Sequence, residues 1–282
     1  MIPAPFTYQR VDTLDEAVEA LAASEGSAKV IAGGMSLLPL MKLRLAQPGA
    51  LIDIGRVEEL RHHGPTPDGG YELGALATYA DIIEDTPLGF ARDCLLGIGD
   101  IQVRNRGTIG GAISHADPAS DAPALALALD YSVVLRSKRG ERTEPVDGFF
   151  EGAFQTAISP DEILVKAVRG PLPAGSGGSY QKMEHPASGY SIVGVAAVVA
   201  MDGGVVSHAR VALTGVGEVA YRAKSVEAAL MGTDGSAGAV AAAAEHATDG
   251  QTVNGDIHAD RDYRARMAVV YTRRAIEAAL GR

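Results

Sequence analysis

Residues Ile101 to Asp130 read IQVRNRGTIGGAISHADPASDAPALALALD, the densest signal in the chain. The stretch divides in two. Its first part, Arg106 to Asp121, carries Gly107, Gly110 and Gly111 with Thr108 and reads as a glycine-rich loop. Its last part, Ala122 to Leu129, is apolar on every side and reads as a buried helix. A loop of this kind offers a hydroxyl and a backbone free of Cβ atoms, and backbone N–H groups can then approach an anion. Asp121 sits where the loop meets the helix, so its carboxylate can cap the helix or hold a sugar hydroxyl.

Some seventy residues upstream a second glycine motif occurs. Val30 to Leu45 reads VIAGGMSLLPLMKLRL. The β-like run Lys29 to Ala32 delivers the chain to Gly33-Gly34. A helix leaves, with Ser36 near its cap and Pro39 in its first turn, where proline is tolerated. The adjacent glycines fit neither G-x-G-x-x-G nor G-x-x-x-x-G-K-[ST]. Strand, turn and helix nevertheless converge several amides on one concavity, which suits a pyrophosphate.

The neighbouring sequence supplies the frame. Thr13 to Ala23 is an amphipathic helix with Leu14, Ala17, Val18 and Leu21 on one face, capped by Asp12 or Thr13. Leu51 to Ile54, Tyr71 to Ala75, Tyr131 to Arg136 and Asp161 to Val168 read as strands. Tyr79 to Glu84 and Asp93 to Ile98 read as helices. Gly170 to Ser179, GPLPAGSGGS, is the best linker. Beyond it the pattern changes. Ile192 to Met201 and Val205 to Leu213 are β-like runs joined by Asp202-Gly203-Gly204, which is hairpin chemistry. Helices follow at Ser225 to Met231, Ala237 to Ala247 and Arg261 to Leu280.

Composition narrows the function. The chain has 282 residues, 25 Lys plus Arg against 35 Asp plus Glu, and a net charge of −10. It has no basic run, so nucleic acid is not an expected partner. One cysteine, Cys94, excludes an internal disulfide and a cysteine-ligated iron–sulfur cluster within the chain, and its simplest role is that of a small buried hydrophobe. His115 and Asp117 lack further ligands at metal spacing. The N-terminus has no charged and apolar signal pattern, and the longest apolar run, Ile192 to Met201, is too short to span a bilayer. A cytoplasmic protein without direct membrane insertion is expected. No Ser-His-Asp set or carboxylate pair stands out, so no catalytic side chain and no metal ligand is assigned. From the residues alone, two glycine motifs in an acidic chain point to a nucleotide or flavin held in a cleft between lobes.

At these residues the chain resembles the FAD-binding medium subunits of the carbon monoxide dehydrogenase and xanthine dehydrogenase (molybdenum hydroxylase) family. The likeness rests on AGGMSLLPLMKLRL (Ala32 to Leu45) and QVRNRGTIGGAISHADPASD (Gln102 to Asp121). It extends through LIDIGRVEELR (Leu51 to Arg61), DEILVKAVRG (Asp161 to Gly170), YQKMEHPASGYSIVGVAA (Tyr180 to Ala197) and YRARMAVVYTRRAIEAAL (Tyr263 to Leu280). The resemblance implies an α+β chain with the FAD-binding fold of the vanillyl-alcohol oxidase and p-cresol methylhydroxylase type. Two α+β subdomains, 1–56 and 57–175, would cradle FAD. A C-terminal domain, 176–282, would hold a three-stranded antiparallel sheet with helices.

By motif position, Ala32, Gly33, Gly34, Met35, Ser36 and Leu37 match the first pyrophosphate loop. Thr108, Ile109, Gly110, Gly111 and Ala112 match the second, and Asp117 belongs to the same motif. Asp121 matches the acidic residue near the adenosine half. Leu164 and Lys182 match positions that approach the flavin, and Tyr190 borders its ring. Met35 and Ala112 stand where the family often has polar residues, which removes side-chain hydrogen bonds worth about a kcal/mol each and leaves backbone binding intact. The resemblance further implies a small [2Fe–2S] subunit and a large molybdopterin subunit as partners, in a dimer of heterotrimers. Electrons would pass to a quinone or another oxidant, with association to the inner face of the membrane through partners. Three rival readings are the flavin subunit of a xanthine, nicotine or other heteroaromatic hydroxylase, a stand-alone flavin oxidase, and a scaffold that has lost the flavin.

Overall fold

The computed structural model describes residues 2–281. Among these residues the chain builds three sheets of three or more strands in succession, each with its own helices. The first is small and parallel. Its strands are β1 (Thr7–Arg10), β2 (Ala28–Ile31) and β3 (Ala50–Asp53), in the order β1-β3-β2. Helix α1 (Leu14–Ala23) buries Leu14, Ala17, Val18 and Leu21 against it. Thr13 caps α1, its hydroxyl accepting from the Glu16 amide at 3.2 Å. Helix α2 (Leu37–Lys42) follows the Gly33-Gly34 turn. Strand β1 has no counterpart among the sequence expectations. All four of its residues are exposed, so no apolar alternation marks it, and its parallel ladder to β3 alone defines it.

The second sheet is mixed in sequence order and antiparallel in its ladders. Its strands are β4 (His63–Pro65), β5 (Tyr71–Gly74), β6 (Ser132–Ser137) and β7 (Gly140–Pro145). A hairpin of β8 (Phe150–Gly152) and β9 (Gln155–Thr156) intervenes before β10 (Ile163–Arg169). The order is β4-β5-β10-β6-β7. Helices α3 (Tyr79–Asp85), α4 (Gly89–Leu96), α5 (Ile101–Arg104), α6 (Ile109–His115) and α7 (Asp121–Ala128) connect β5 to β6.

The third sheet is antiparallel, with β11 (Gly177–Glu184), β12 (Ser191–Asp202), β13 (Val205–Thr214) and the two-residue β14 (Tyr221–Arg222) in sequence order. It thus has four strands where three are expected. Gly203 and Gly204 both take positive φ, +57° and +84°, at the β12–β13 turn, as a tight hairpin requires. Helices α8 (Lys224–Leu230), α9 (Ala237–Ala244) and α10 (Arg261–Ala279) complete this part, and α10 lies across β11 and β12. The buried guanidinium of Arg264 ties it down, donating to the carbonyls of Ile192 and Gly215 at 2.6 Å each and to Asp256 at 2.8 Å.

Two segments differ from the sequence reading for a packing reason. The linker Gly170 to Ser179 ends early, because Gly177 to Ser179 already belong to β11. A Cβ at Gly177 would overlap the Ala279 carbonyl and one at Gly178 the Phe90 ring, so these glycines permit close packing and supply no flexibility. Part of the supposed loop 106–121 is helix α6. Thr108 caps it, accepting from the Gly111 amide at 3.1 Å, and Ile109 and Ile113 bury one face. These gains outweigh the poor helix propensity of Gly110-Gly111. No helix among the described residues is long and apolar enough to cross a membrane.

Candidate functional site

The two glycine motifs meet in space. Gly33 lies so close to the Arg106–Gly107 peptide that a Cβ there would overlap the Arg106 carbonyl oxygen and stand 3.3 Å from the Gly107 Cα. Between them opens a cleft of about 870 Å³. That is within the range of about 300–1,000 Å³ typical of small-molecule and cofactor sites.

One wall is the turn from β2 into α2. Ala32, Gly33, Gly34, Met35, Ser36 and Leu37 all line it. Among the described residues, none of their six backbone N–H groups has a protein acceptor. Gly34 has φ of +75°, a left-handed conformation that glycine adopts freely. Successive free amides around such a turn form a concavity for anionic oxygens. Ser36 stands at the N-cap of α2 without capping it, so its hydroxyl is also available.

The opposite wall is α6, and there the roles divide. Thr108, Gly110, Gly111 and Ala112 line the cleft. The first amides of α6 are already used: Ile109 donates to the Ala77 carbonyl at 3.0 Å, Gly110 to Ala75 at 3.1 Å, and Ala112 to Thr108 at 3.0 Å. This wall therefore offers shape more than donors. Gly110 is the point of closest approach of α6 to the end of β5, and Gly111 is exposed on the cleft side. Ile109 does not reach the cleft. It is 4% exposed and points into the core behind α6.

Asp117, Asp121, Leu164 and Tyr190 also line the cleft. Asp117 holds a local turn, accepting from the Ala119 amide at 2.9 Å. Tyr190 is half exposed, and burial of the rest of its ring raises the phenol pKa. Asp121 does not cap α7. Ser120 occupies the cap position, and the Asp121 oxygens face the protein. Oδ1 accepts from the Ser191 hydroxyl at 2.5 Å and from the Tyr180 hydroxyl, and Oδ2 pairs with Lys182 Nζ at 2.8 Å. Lys182 does not line the cleft. It stands behind it, donating also to the Gly97 carbonyl at 3.1 Å. The pair is nearly dry, at 5% and 11% side-chain exposure. Removing one partner should strand the other charge. Asp121→Asn is expected to lower stability by about 3 kcal/mol. The double variant with Lys182→Met should recover part of that loss, and a denaturant-unfolding cycle of the four proteins measures the coupling.

Residues without a glycine signal complete the cleft. The β8–β9 hairpin supplies Glu151, Phe154 and Gln155, and the loop before β10 supplies Ser159 and Glu162. Periodicity does not reveal them, since they come from short irregular segments. Glu162 is bound by Arg142 through two contacts of 2.7 Å and accepts from the Ser159 amide at 2.8 Å. Hydrogen bonding from Arg142 holds its pKa at about 2, against an ordinary 4.5. The folded-state value is depressed, so the stabilisation is complete above the ordinary value and is lost as pH falls towards 2. Glu162→Gln should cost about 3 kcal/mol near pH 7. The gap from the parent, read from denaturant midpoints, should narrow below pH of about 4.5.

Cys94 is buried, and burial pushes its thiol pKa well up, which fits a packing role. No group of three or more His, Cys, Asp or Glu able to hold a metal occurs among the described residues. The cleft therefore presents a long space, a run of free amides on one wall, smooth glycine surface on the other and little positive charge. Those features fit an elongated dinucleotide held through its pyrophosphate by backbone.

Comparison with known proteins agrees. Residues 4–173 match the model of the FAD binding domain in molybdopterin dehydrogenase, and residues 178–279 match the CO dehydrogenase flavoprotein C-terminal domain. The carbon monoxide dehydrogenase medium chain of Hydrogenophaga pseudoflava is 40% identical, over 100% of this chain and 99% of that one. A solved structure of carbon monoxide dehydrogenase from the same organism, lacking the Mo-pyranopterin moiety of the molybdenum cofactor, superposes with a TM-score of 0.95 at 40% identity, covering 100% and 99% of the two chains. Quinoline 2-oxidoreductase from Pseudomonas putida 86 superposes with a TM-score of 0.92 at 32% identity, again covering 100% and 99%. This chain belongs to the FAD-binding medium subunits of the carbon monoxide dehydrogenase-type molybdenum hydroxylases, with the two-part α+β FAD-binding fold of that family, and is an oxidoreductase flavoprotein.

Proposed function

We propose that this subunit carries electrons within an aerobic carbon monoxide dehydrogenase. It receives them from the [2Fe–2S] clusters of a small partner and delivers them to a quinone or another oxidant. A large molybdopterin partner oxidises the substrate, and the assembly is a dimer of heterotrimers in the cytoplasm, reaching the inner face of the membrane through partners. The observation that carries this reading is the 40% identity to a carbon monoxide dehydrogenase medium chain over essentially the whole of both chains.

Bound FAD supplies a carrier that accepts electrons one or two at a time. The chain itself binds and orients. The free amides of Ala32 to Leu37 hold the pyrophosphate, with Gly34 shaping the turn. Gly111 and Ala112 let the cofactor lie flat against α6, with Thr108 and Gly110 fixing that helix and Asp117 closing its far end. Asp121 and Lys182 form a buried brace behind the adenosine side, and Leu164 and Tyr190 border the ring. Ile109 supports α6 from the core side. The division of the chain into 1–56, 57–175 and 176–282 follows the same reading, the first two parts enclosing the cleft.

A second reading, a heteroaromatic hydroxylase, is favoured by the likeness to quinoline 2-oxidoreductase at a TM-score of 0.92. Purification of the native complex through a tag on this chain separates the cases. The expected result is a flavin and iron–sulfur spectrum, two partner chains and reduction of a quinone analogue that depends on carbon monoxide. Reduction driven by a heteroaromatic substrate and not by carbon monoxide would select the second reading. Turnover by the isolated chain would replace both with a stand-alone oxidase.

A further inference from the structure

The segment from Asp117 to Asp121 runs from the end of α6 to the start of α7, and Asp117, Ala119, Ser120 and Asp121 all line the cleft. Irregular backbone keeps one shape only where its polar groups find partners. From Pro118 onward those partners come from the third sheet. The Pro118 carbonyl accepts from the Gly215 amide at 2.7 Å, and the Ala119 carbonyl from the Ser191 amide at 3.3 Å. Thr214 Oγ1 lies 2.7 Å from the Pro118 carbonyl and 2.8 Å from the Ser120 carbonyl, so its one proton is shared between them. Thr214 is 0% exposed, so no bulk water competes for either carbonyl at that point. The Asp121 carboxylate is held in the same way, by Tyr180 and Lys182 of β11 and Ser191 of β12.

All five donor residues lie within 178–279, outside the stretch 4–173 that matches the FAD binding domain. Their bonds end on residues that face the cleft, and Thr214 binds the carbonyls on both sides of Ala119. The wall is therefore fixed from behind, by the C-terminal sheet. A buried carbonyl left without a donor is costly, so loss of one donor shifts the segment. A binding group displaced by a fraction of an ångström loses much of its fit. We infer that Thr214, Tyr180 and Ser191 are positioning residues for the cofactor, through which the C-terminal sheet sets where residues 118–121 stand against the bound dinucleotide. The inference rests on the cofactor placement proposed above.

The test uses the native complex, tagged on this chain and freed of flavin. It is titrated with FAD while flavin fluorescence and visible circular dichroism are recorded. Thr214→Val keeps the side-chain shape and removes the hydroxyl. It should weaken FAD binding by about tenfold and alter the circular dichroism of the bound flavin. Thr214→Ser keeps the hydroxyl and should return both to near the parental values. Tyr180→Phe, which keeps the ring and its packing, should weaken binding by about threefold, and it carries the test where Thr214→Val fails to assemble. Thr272→Val is the control, because Thr272 is 0% exposed in α10 and its hydroxyl has no partner among the described residues. Its FAD affinity should stay parental. Parental affinity in both Thr214→Val and Tyr180→Phe, an equal loss in Thr272→Val, or no rescue by Thr214→Ser would overturn the inference. A parent complex unable to take up FAD would overturn the cofactor placement itself, and this inference with it.

Discussion

Replacing Gly110 by alanine should lower the stability of this chain by about 3 kcal/mol or more. The expectation runs against helix propensity. Alanine in place of glycine inside a helix normally stabilises by about 0.5–1 kcal/mol. Here the new methyl would stand 2.6 Å from the Ala75 Cβ and 2.7 Å from both its Cα and its carbonyl oxygen. Two of those atoms are backbone and cannot swing aside. The same carbonyl accepts the Gly110 amide at 3.1 Å, so pushing α6 away from β5 also breaks that hydrogen bond and strains the one from Ile109 to Ala77. Steric overlap and lost hydrogen bonds therefore outweigh the propensity gain. Denaturant unfolding followed by circular dichroism measures the effect. A midpoint at or above that of the parent would refute the packing role.

Replacing the adjacent Gly111 by tryptophan should have the opposite profile, with the fold kept and the cofactor lost. A Cβ at Gly111 meets only the Thr108 hydroxyl, at 2.8 Å, and nothing else nearby. The cost is at most the N-cap interaction, about 1 kcal/mol, offset by the gain in helix propensity. The residue is exposed on the cleft wall, so an indole there would fill the space that faces the amides of Ala32 to Leu37. FAD affinity should fall by about a hundredfold or more, and the purified variant should be colourless with a near-parental unfolding midpoint. Full flavin occupancy in folded Gly111→Trp would remove α6 from the cofactor site. Measured together, the two neighbouring glycines separate a packing requirement from a binding requirement that the motif TIGG presents as one.

Much of the architecture was legible in the sequence because it rests on local rules. The α1 stripe of Leu14, Ala17, Val18 and Leu21 and its Thr13 cap follow from helical spacing and cap chemistry. The β12–β13 hairpin follows from two apolar runs around Asp202-Gly203-Gly204, and the free amides at 32–37 follow from a strand ending in Gly-Gly before a helix. Strand β1 was illegible because its side chains are exposed and only its backbone is paired. Helix α6 was hidden because glycine speaks against a helix locally, whereas the carbonyls that satisfy its first turn come from Ala75 and Ala77, over thirty residues earlier.

The sequence alone determined the family and the cofactor class, through two glycine motifs set some seventy residues apart. It also excluded a cysteine-ligated iron–sulfur cluster within the chain, since one cysteine cannot ligate one. Tertiary structure decided which way each side chain faces. Successive residues on a helix point about 100° apart, so two positions apart, about 200°, Gly111 opens to the cleft while Ile109 turns into the core behind α6. Tertiary structure also decided what each charge meets. Asp121 and Lys182 lie 61 residues apart in the chain and close into an ion pair behind the cleft. Such pairings depend on how separate elements pack, and no local pattern in the chain encodes them.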